Sequence, residues 1–333
     1  MAKKVAIDLG TANSLVLVEG RGIVVREPTV VAISLNDKKV VAIGNDAKEM
    51  LGKVPENIVA KRPLRQGVIA SYRLTEALMK SLLNKAIGRT RFFKPDVMIS
   101  VPAGLTSVEE RAVLEAAVSA GAGKIYLIPE PIAAAIGAQL PISTSTGNMI
   151  VNMGGGTTEI AVISMNGIVT FESKRLAGDA INEEIINYMR KIKGVVIGEQ
   201  MAEKIKMEVA SAVRVDSPGE MEVRGRDVNS GLPTTVLVNA NEINEAIKPV
   251  LNQIIGAIKN VLEKTPPELA SDIIDRGMVL SGGTALLSNI DVLFTRATGV
   301  PAHIVDNPMD AVVIGVGEAL KHLDVIKGSL KSR

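Results

Sequence analysis

Two short stretches of this chain place the same chemistry at the end of an apolar run. Val5-Ala-Ile-Asp-Leu-Gly-Thr-Ala-Asn-Ser14 passes from aliphatic residues into Asp8 and then into a Gly/Thr/Asn turn. Ile150-Val-Asn-Met-Gly-Gly-Gly-Thr-Thr158 repeats the layout, with Asn152 where the first copy has Asp8. In both copies the Asp or Asn stands two residues before a Gly. Glycines let backbone N–H groups approach phosphate oxygens, and Thr and Ser hydroxyls add further donors. One such turn alone is equally a hairpin or a bulge. Two of them can close on one triphosphate from opposite sides. The spacing lacks both the Walker lysine and the helix-opening glycines of a dinucleotide fold. The copies differ in charge, a carboxylate in the first and an amide in the second.

The elements that must hold these turns have a repeated order. Each copy continues into a second apolar strand (residues 15–18 and 160–163), a tight Gly turn and a third strand (23–25 and 168–171). Further buried strands are predicted at 97–101, 125–128 and 278–281, alternating with helical stretches, which indicates an α/β fold. Ser107-Val-Glu-Glu110 reads as a capping box opening a helix that Gly121 closes. Pro131 takes the first helical position before 132–138. Ser164-Met-Asn-Gly167 carries the Asn-Gly signature of a type I′ hairpin. A long helix covers 241–264 and stops at Pro266-Pro267, and Pro249 within it predicts a kink or a later start. The polar break Ser143-Thr-Ser-Thr-Gly147 marks the expected domain boundary. Gly315 and Gly317, in the apolar stretch 311–320, predict close helix packing back onto the first domain.

Composition narrows the class. The chain has 333 residues, enough for two domains. It has no Trp, four Phe and three Tyr, so its core is aliphatic. No apolar run approaches the roughly 20 residues that span a bilayer. Cys is absent, which excludes disulfides and fits a cytoplasmic chain. Met1-Ala-Lys-Lys leads directly into a strand, so no signal peptide is expected. The net charge of +2, with acids and bases interspersed, makes no case for nucleic acid.

Together the two turns, Pro129-Glu130-Pro131-Ile-Ala-Ala-Ala-Ile-Gly137 and Leu280-Ser-Gly-Gly-Thr284 resemble the superfamily of actins, sugar kinases and heat-shock chaperone ATPases. Within it the chain is similar to the MreB family of bacterial actins. The likeness also runs through Gly22-Ile-Val-Val-Arg-Glu-Pro28, Ala47-Lys-Glu-Met-Leu-Gly52, Ala177-Gly-Asp179, Asn229-Ser-Gly-Leu-Pro233 and Lys264-Thr-Pro-Pro-Glu-Leu269. It implies an actin-like ATPase fold, two domains of duplicated topology around a nucleotide cleft. The first would cover 1–143, with a small subdomain at about 32–77, and be completed by 309–333. The second would cover 144–308, with a small subdomain at about 180–241.

The resemblance also implies roles. Asp8 and Asn152 would face Mg²⁺ through water. Gly10, Thr11, Ala12 and Asn13 would form the first phosphate loop, and Gly154, Gly155, Gly156, Thr157 and Thr158 the second. Glu130 would orient a water for in-line attack on the γ-phosphate of ATP, with Thr157 helping to hold it. That chemistry rests mainly on positioning and electrostatics. Glu203 and Lys206, three apart on one helix face, would contact the ribose; otherwise they form a solvated ion-pair face. Gly282, Gly283, Thr284 and Leu286 would lie beneath the adenine. Asp179 matches a cleft position between the domains.

Some positions depart from the family pattern. Most relatives carry Asp where Asn152 stands, and acids where Gln66 and Ser71 stand; Pro129 replaces a common Glu. An amide accepts a hydrogen bond but brings no charge to a divalent ion. These losses imply weak metal binding and slow hydrolysis, in a specialised relative or a deliberately altered sequence.

Half of the phenylalanines stand together in Arg89-Thr-Arg-Phe-Phe-Lys94. Phe92 and Phe93, exposed and flanked by cations, would enter a membrane interface while the cations meet anionic headgroups. Otherwise the rings fold onto the core. The family's loop at this place favours the membrane, and a polymer would multiply a weak contact.

The expected function is therefore an ATP-binding protein that forms paired antiparallel filaments with itself on the inner membrane face. It would guide cell shape and wall synthesis with membrane proteins of that machinery, hydrolysing ATP to ADP and phosphate slowly. The alternatives are a filament-forming nucleotide binder with negligible ATPase activity, and a soluble kinase or chaperone ATPase of the same fold. No base aimed at a sugar hydroxyl is evident for a kinase, and no room is expected for a chaperone's peptide domain.

Overall fold

The computed structural model describes residues 2–88 and 93–323, and the backbone of 331–332. The repeated sequence pattern becomes a repeated sheet. Lys4–Leu9, Asn13–Val18 and Gly22–Pro28 form an antiparallel meander, with Ile7 opposite Val16. Asp96–Val101 and Ile125–Pro129 extend it in parallel, and Lys331–Ser332 closes that edge. Asn148–Met153, Thr158–Ser164 and Gly167–Lys174 form the second meander, with Asn152 opposite Glu159. Met278–Ser281 and Ala302–Ile304 extend it in parallel. Each phosphate-turn candidate thus joins the first two strands of a sheet.

Strand alternation sorts the core into layers, because successive side chains point to opposite faces. Val5 and Ile7 pack with Leu78 and Leu82 of the helix Tyr72–Ile87, whereas Ala6 faces the other way. In the second sheet Met149 and Val151 pack with Ile181, Ile185 and Ile254, while Ile150 turns towards Ala6. Between the two sheets lie the helices Glu130–Gly137 and Ala311–Lys321. They touch at glycines. A Cβ on Gly315 would lie 1.8 Å from the Ala133 carbonyl oxygen, and one on Gly137 as close to that of Ala311. Gly317 packs on Leu17, so the C-terminal helix returns to the first meander as its glycines suggested.

Two three-stranded sheets sit outside these layers, besides the short pair Leu64–Arg65 and Val68–Ile69. Val31–Ser34, Val40–Ile43 and Ile58–Lys61 form one; Val195–Val196, Glu220–Asp227 and Pro233–Asn239 form the other. Among the described residues no helix is long and apolar enough to cross a membrane.

Three local details differ from the sequence reading, while the hairpin at 164–167 forms as expected. The capping box uses Thr106 and Glu109, one residue earlier than Ser107 and Glu110. Both pairs have the right spacing, but Glu109 also reaches Arg175 at 3.2 Å. The hairpin 164–167 is centred on Met165 and Asn166, with φ 50° and 61°, and Gly167 pairs with Ser164. Both central residues have the positive φ that a type I′ turn requires, and the Thr144 and Ile142 carbonyls accept from their N–H groups. Glu130, not Pro131, is the first helical residue, which places its carboxylate at the helix mouth. The long helix runs unbroken from Ala240 to Lys264 through Pro249, started by a capping box of Asn239 and Glu242. Its buried face, including Ile243, Ile247, Val250, Ile254 and Ile258, outweighs the one backbone hydrogen bond Pro249 cannot make.

Candidate functional site

The two meander turns face each other across a cleft of about 590 Å³. Their approach is close enough to require glycine. A Cβ on Gly155 would lie 2.5 Å from Cβ of Ala12, and one on Gly156 would lie 2.6 Å from Oγ1 of Thr11. The first turn is braced from behind: Thr29 Oγ1 donates to the Gly10 carbonyl at 2.7 Å, and Thr29 N–H donates to that of Ala12 at 2.9 Å. Thr11 Oγ1 accepts from the Gly67 N–H at 3.0 Å. The second turn is braced by Thr284, whose hydroxyl donates to the Gly154 carbonyl at 2.7 Å. Gly282, at φ +83°, lies flat against Met153, where a Cβ would meet the Met153 oxygen at 2.2 Å.

Nearly all the residues singled out from sequence line this cleft. Asp8, Gly10, Thr11, Ala12, Asn13, Glu130, Asn152, Gly154, Gly155, Gly156 and Thr157 line its floor, and Glu203, Lys206, Gly282, Gly283, Thr284 and Leu286 its other end. Thr158 is the exception. It begins the second strand, so its side chain points opposite to that of Thr157 and donates to the Leu176 carbonyl at 2.7 Å. Phe92 lies outside the described residues. Phe93 is 70 % exposed and is not among the residues that line the cleft.

The floor is acidic and buried. Asp8 accepts from Ser100 Oγ at 2.9 Å, and burial pushes its pKa to about 6 against that hydrogen bond. Glu130 is buried; its pKa is raised well above the usual range by burial first, then by Glu159 and Asp8. Asn152 Nδ2 donates to Glu130 Oε2 at 3.3 Å and pulls the other way. Sequence reasoning missed Glu159. It is fully buried, takes hydrogen bonds from Ser173 Oγ at 2.6 Å and from the Ala103 N–H at 3.1 Å, and has its pKa pushed by burial to about 7. Its signal was present: one carboxylate between the second turn and the apolar run Ile160-Ala-Val-Ile163. Among the described residues, no group of three His, Cys, Asp or Glu could hold a metal ion directly.

The cleft mouth carries ion pairs that spacing alone did not reveal. Lys48 meets Glu203 at 2.9 Å, and the Lys48 carbonyl accepts from Gln200 Nε2 at 2.9 Å. Arg62 pairs with Glu199 and, at 3.6 Å, with Asp179. Burial raises the pKa of Asp179, and Arg62 opposes the rise. The Asp179 N–H donates to the Gly155 carbonyl at 2.8 Å. Lys206 donates to the Gly178 carbonyl at 3.0 Å; burial lowers its pKa, with Glu203 and Asp179 resisting. The helix Glu199–Glu208 therefore presents Glu203 and Lys206 to the cleft rather than to open solvent.

Arranged in this way, the site offers facing turns of glycine and hydroxyl residues, carboxylates at the floor and a lysine at one end. An elongated polyanion carrying a flat, partly apolar group suits it: Met207, Leu286 and Met309 supply apolar surface beside Gly283.

Comparison with known proteins gives a consistent result. The family model described as MreB/Mbl protein matches residues 2–328. The chain is 48% identical over 323 residues to the cell shape-determining protein Mbl of Bacillus subtilis strain 168, covering 97% of each. It is 49% identical over 333 residues to the cell shape-determining protein MreB of Escherichia coli K12, covering 98% of this chain and 96% of the relative. Among solved structures, MreB 5 of Spiroplasma citri bound to AMPPNP superposes with a TM-score of 0.93 at 32% identity, covering 97% of both chains. The MamK double helical filament, at 19% identity and a TM-score of 0.81 over 97% of this chain and 99% of that one, shares the fold.

Proposed function

This chain belongs to the MreB/Mbl family, and on that premise we propose that it is an ATP-binding, filament-forming cytoskeletal protein that acts in cell-shape determination. The carrying observation is the pair of facing turns, in which Gly155 and Gly156 abut Ala12 and Thr11. In this reading the backbone N–H groups of 10–13 and 154–157 and the hydroxyls of Thr11 and Thr157 hold the phosphates. Glu203 and Lys206 hold the ribose, and Gly282, Gly283, Thr284 and Leu286 pass beneath the base. The likeness to MreB 5, which has been solved with AMPPNP and with ADP, supports the nucleotide class.

The water that attacks the γ-phosphate would be oriented by Glu130 and Thr157. Mg²⁺, when bound with the nucleotide, would supply charge neutralisation, and Asp8 would accept hydrogen bonds from its waters. Asn152 adds no charge there, which supports slow turnover, with ADP as product, or a binder with negligible hydrolysis. Polymers would be built from copies of this chain, as paired antiparallel protofilaments by family likeness. The domain limits given from sequence are part of the same reading: 1–143 with 309–333, and 144–308.

Exposed Phe93 beside Lys94, with Phe92, supports a contact with anionic lipids of the inner membrane face. Such a protein would lie in the cytoplasm, peripheral to that membrane, and work with membrane proteins of wall synthesis. The test of the nucleotide reading is thermal melting with ATP and Mg²⁺. A ligand bound only by the folded state raises the melting temperature, whereas no shift at millimolar ATP, with or without metal, removes the nucleotide reading.

A further inference from the structure

Asn152 sits on the central strand of the second sheet, where its position is fixed from both sides. Its ladder neighbours are Glu159 on one strand and Ser281 on the other. It is 3 % exposed, and Ser281 is fully buried. Ser281 Oγ donates to Asn152 Oδ1 at 3.0 Å, and Asn152 Nδ2 donates to Glu130 Oε2 at 3.3 Å. The amide is therefore engaged at both ends. Its oxygen, the atom that could accept from a metal-bound water, is turned to Ser281. Its NH₂ group can only donate, and what it meets is the carboxylate of Glu130.

We propose that Asn152 is a positioning residue for Glu130, held in place by Ser281, rather than a weakened member of a cation site. Glu130 lies among carboxylates, with Glu159 and Asp8 as neighbours. An aspartate at position 152 would add another anion there and could hold Glu130 only through a metal or a proton. The amide supplies a hydrogen-bond donor with no cation. Asn152 thus exchanges a metal-dependent arrangement of the floor for a metal-independent one.

The proposal rests on the nucleotide-site reading for its consequence, but its geometry can be tested without nucleotide. In EDTA, the melting temperatures of wild type, Asn152→Ala, Glu130→Ala and the double variant form a cycle. The expected result is a coupling of roughly 1–3 °C, the Asn152 substitution costing less once Glu130 is gone. Asn152→Asp, which keeps the shape and loses the donor, should show at least the same coupling in EDTA. Additive shifts in both cycles would overturn the proposal, whatever ATP does.

The second measurement is phosphate release at saturating ATP and Mg²⁺. Asn152→Ala should lower it about tenfold or more with ATP affinity within about twofold of wild type, and Ser281→Ala should fall between. If a missing metal charge were the whole effect of the amide, Asn152→Ala would match wild type, and that result would also overturn the proposal. Failure of ATP to bind at all would sink the nucleotide reading while leaving the stability cycle to decide on Asn152.

Discussion

Gly155 and Ala12 meet across the cleft so closely that a Cβ on the glycine would lie 2.5 Å from the alanine methyl. The two turns can therefore stay at their present separation only while position 155 lacks a side chain. Gly155→Ala should push them apart and misplace the N–H groups of both. Overpacking of this kind costs about 1–3 kcal/mol, and we expect ATP affinity to fall about tenfold or more at that cost. Isothermal titration of the purified variant checks it. Unchanged affinity would mean that the turns do not jointly hold the ligand.

The acidic floor makes a pH prediction. Asp8, Glu130 and Glu159 all have raised pKa values in the folded chain. A group that holds its proton more tightly when folded stabilises the fold at low pH and loses that contribution as pH rises. For Glu159 the window runs from its usual 4.5 to about 7. At 1.36 kcal/mol per unit, ionising it costs on the order of 3 kcal/mol. In EDTA and without nucleotide, the protein should lose stability between about pH 5 and pH 7.5 from these groups. Glu159→Gln should flatten the profile. Chemical denaturation at a series of pH values reads this directly, and a steeper profile in the variant would contradict the account.

The helices between the sheets leave no room at Gly315. Gly315→Ala should force the helix Ala311–Lys321 away from the Ala133 carbonyl. Destabilisation of at least 1–3 kcal/mol is expected, since backbone rather than a mobile side chain blocks the new methyl. Urea unfolding measures it, and Gly256→Ala, on the long helix with open space around it, is the control that should cost nothing.

Much of this architecture was legible in the sequence because it rests on short-range rules. The doubled Asp/Asn-x-Gly turn, the aliphatic runs and the helix glycines each have a local physical cause, and the turns with their strands recur at corresponding places in the two sheets. Glu159 was harder to see. What makes it part of the floor is its contact with the Ala103 N–H and its position opposite Asn152, and both depend on tertiary register. Thr158 was grouped with Thr157 because adjacent hydroxyls look alike in sequence; the pleat of the strand separates them. The ion pairs of Arg62 and Lys48 join distant segments, and no spacing rule reaches them.

At the membrane, burying a Phe side chain contributes roughly 1.5–3 kcal/mol if insertion is full. Cationic neighbours add about 1 kcal/mol each near an anionic surface. Binding should thus be marginal for a protomer and appreciable for a polymer. Co-sedimentation with anionic and neutral liposomes should show the Phe92→Ala/Phe93→Ala protein pelleting less than wild type on anionic vesicles. Equal pelleting, with polymerisation intact, would locate the anchor elsewhere.

The central claim is that the cleft binds ATP and that the bound chain assembles. Negative-stain microscopy of the purified protein, with and without ATP and Mg²⁺, tests it most directly. The account predicts filaments with ATP, which persist in Glu130→Ala because that variant loses phosphate release and keeps binding, and few or none in Gly155→Ala. Isolated particles under every condition, with ATP binding confirmed in the same sample, would contradict it.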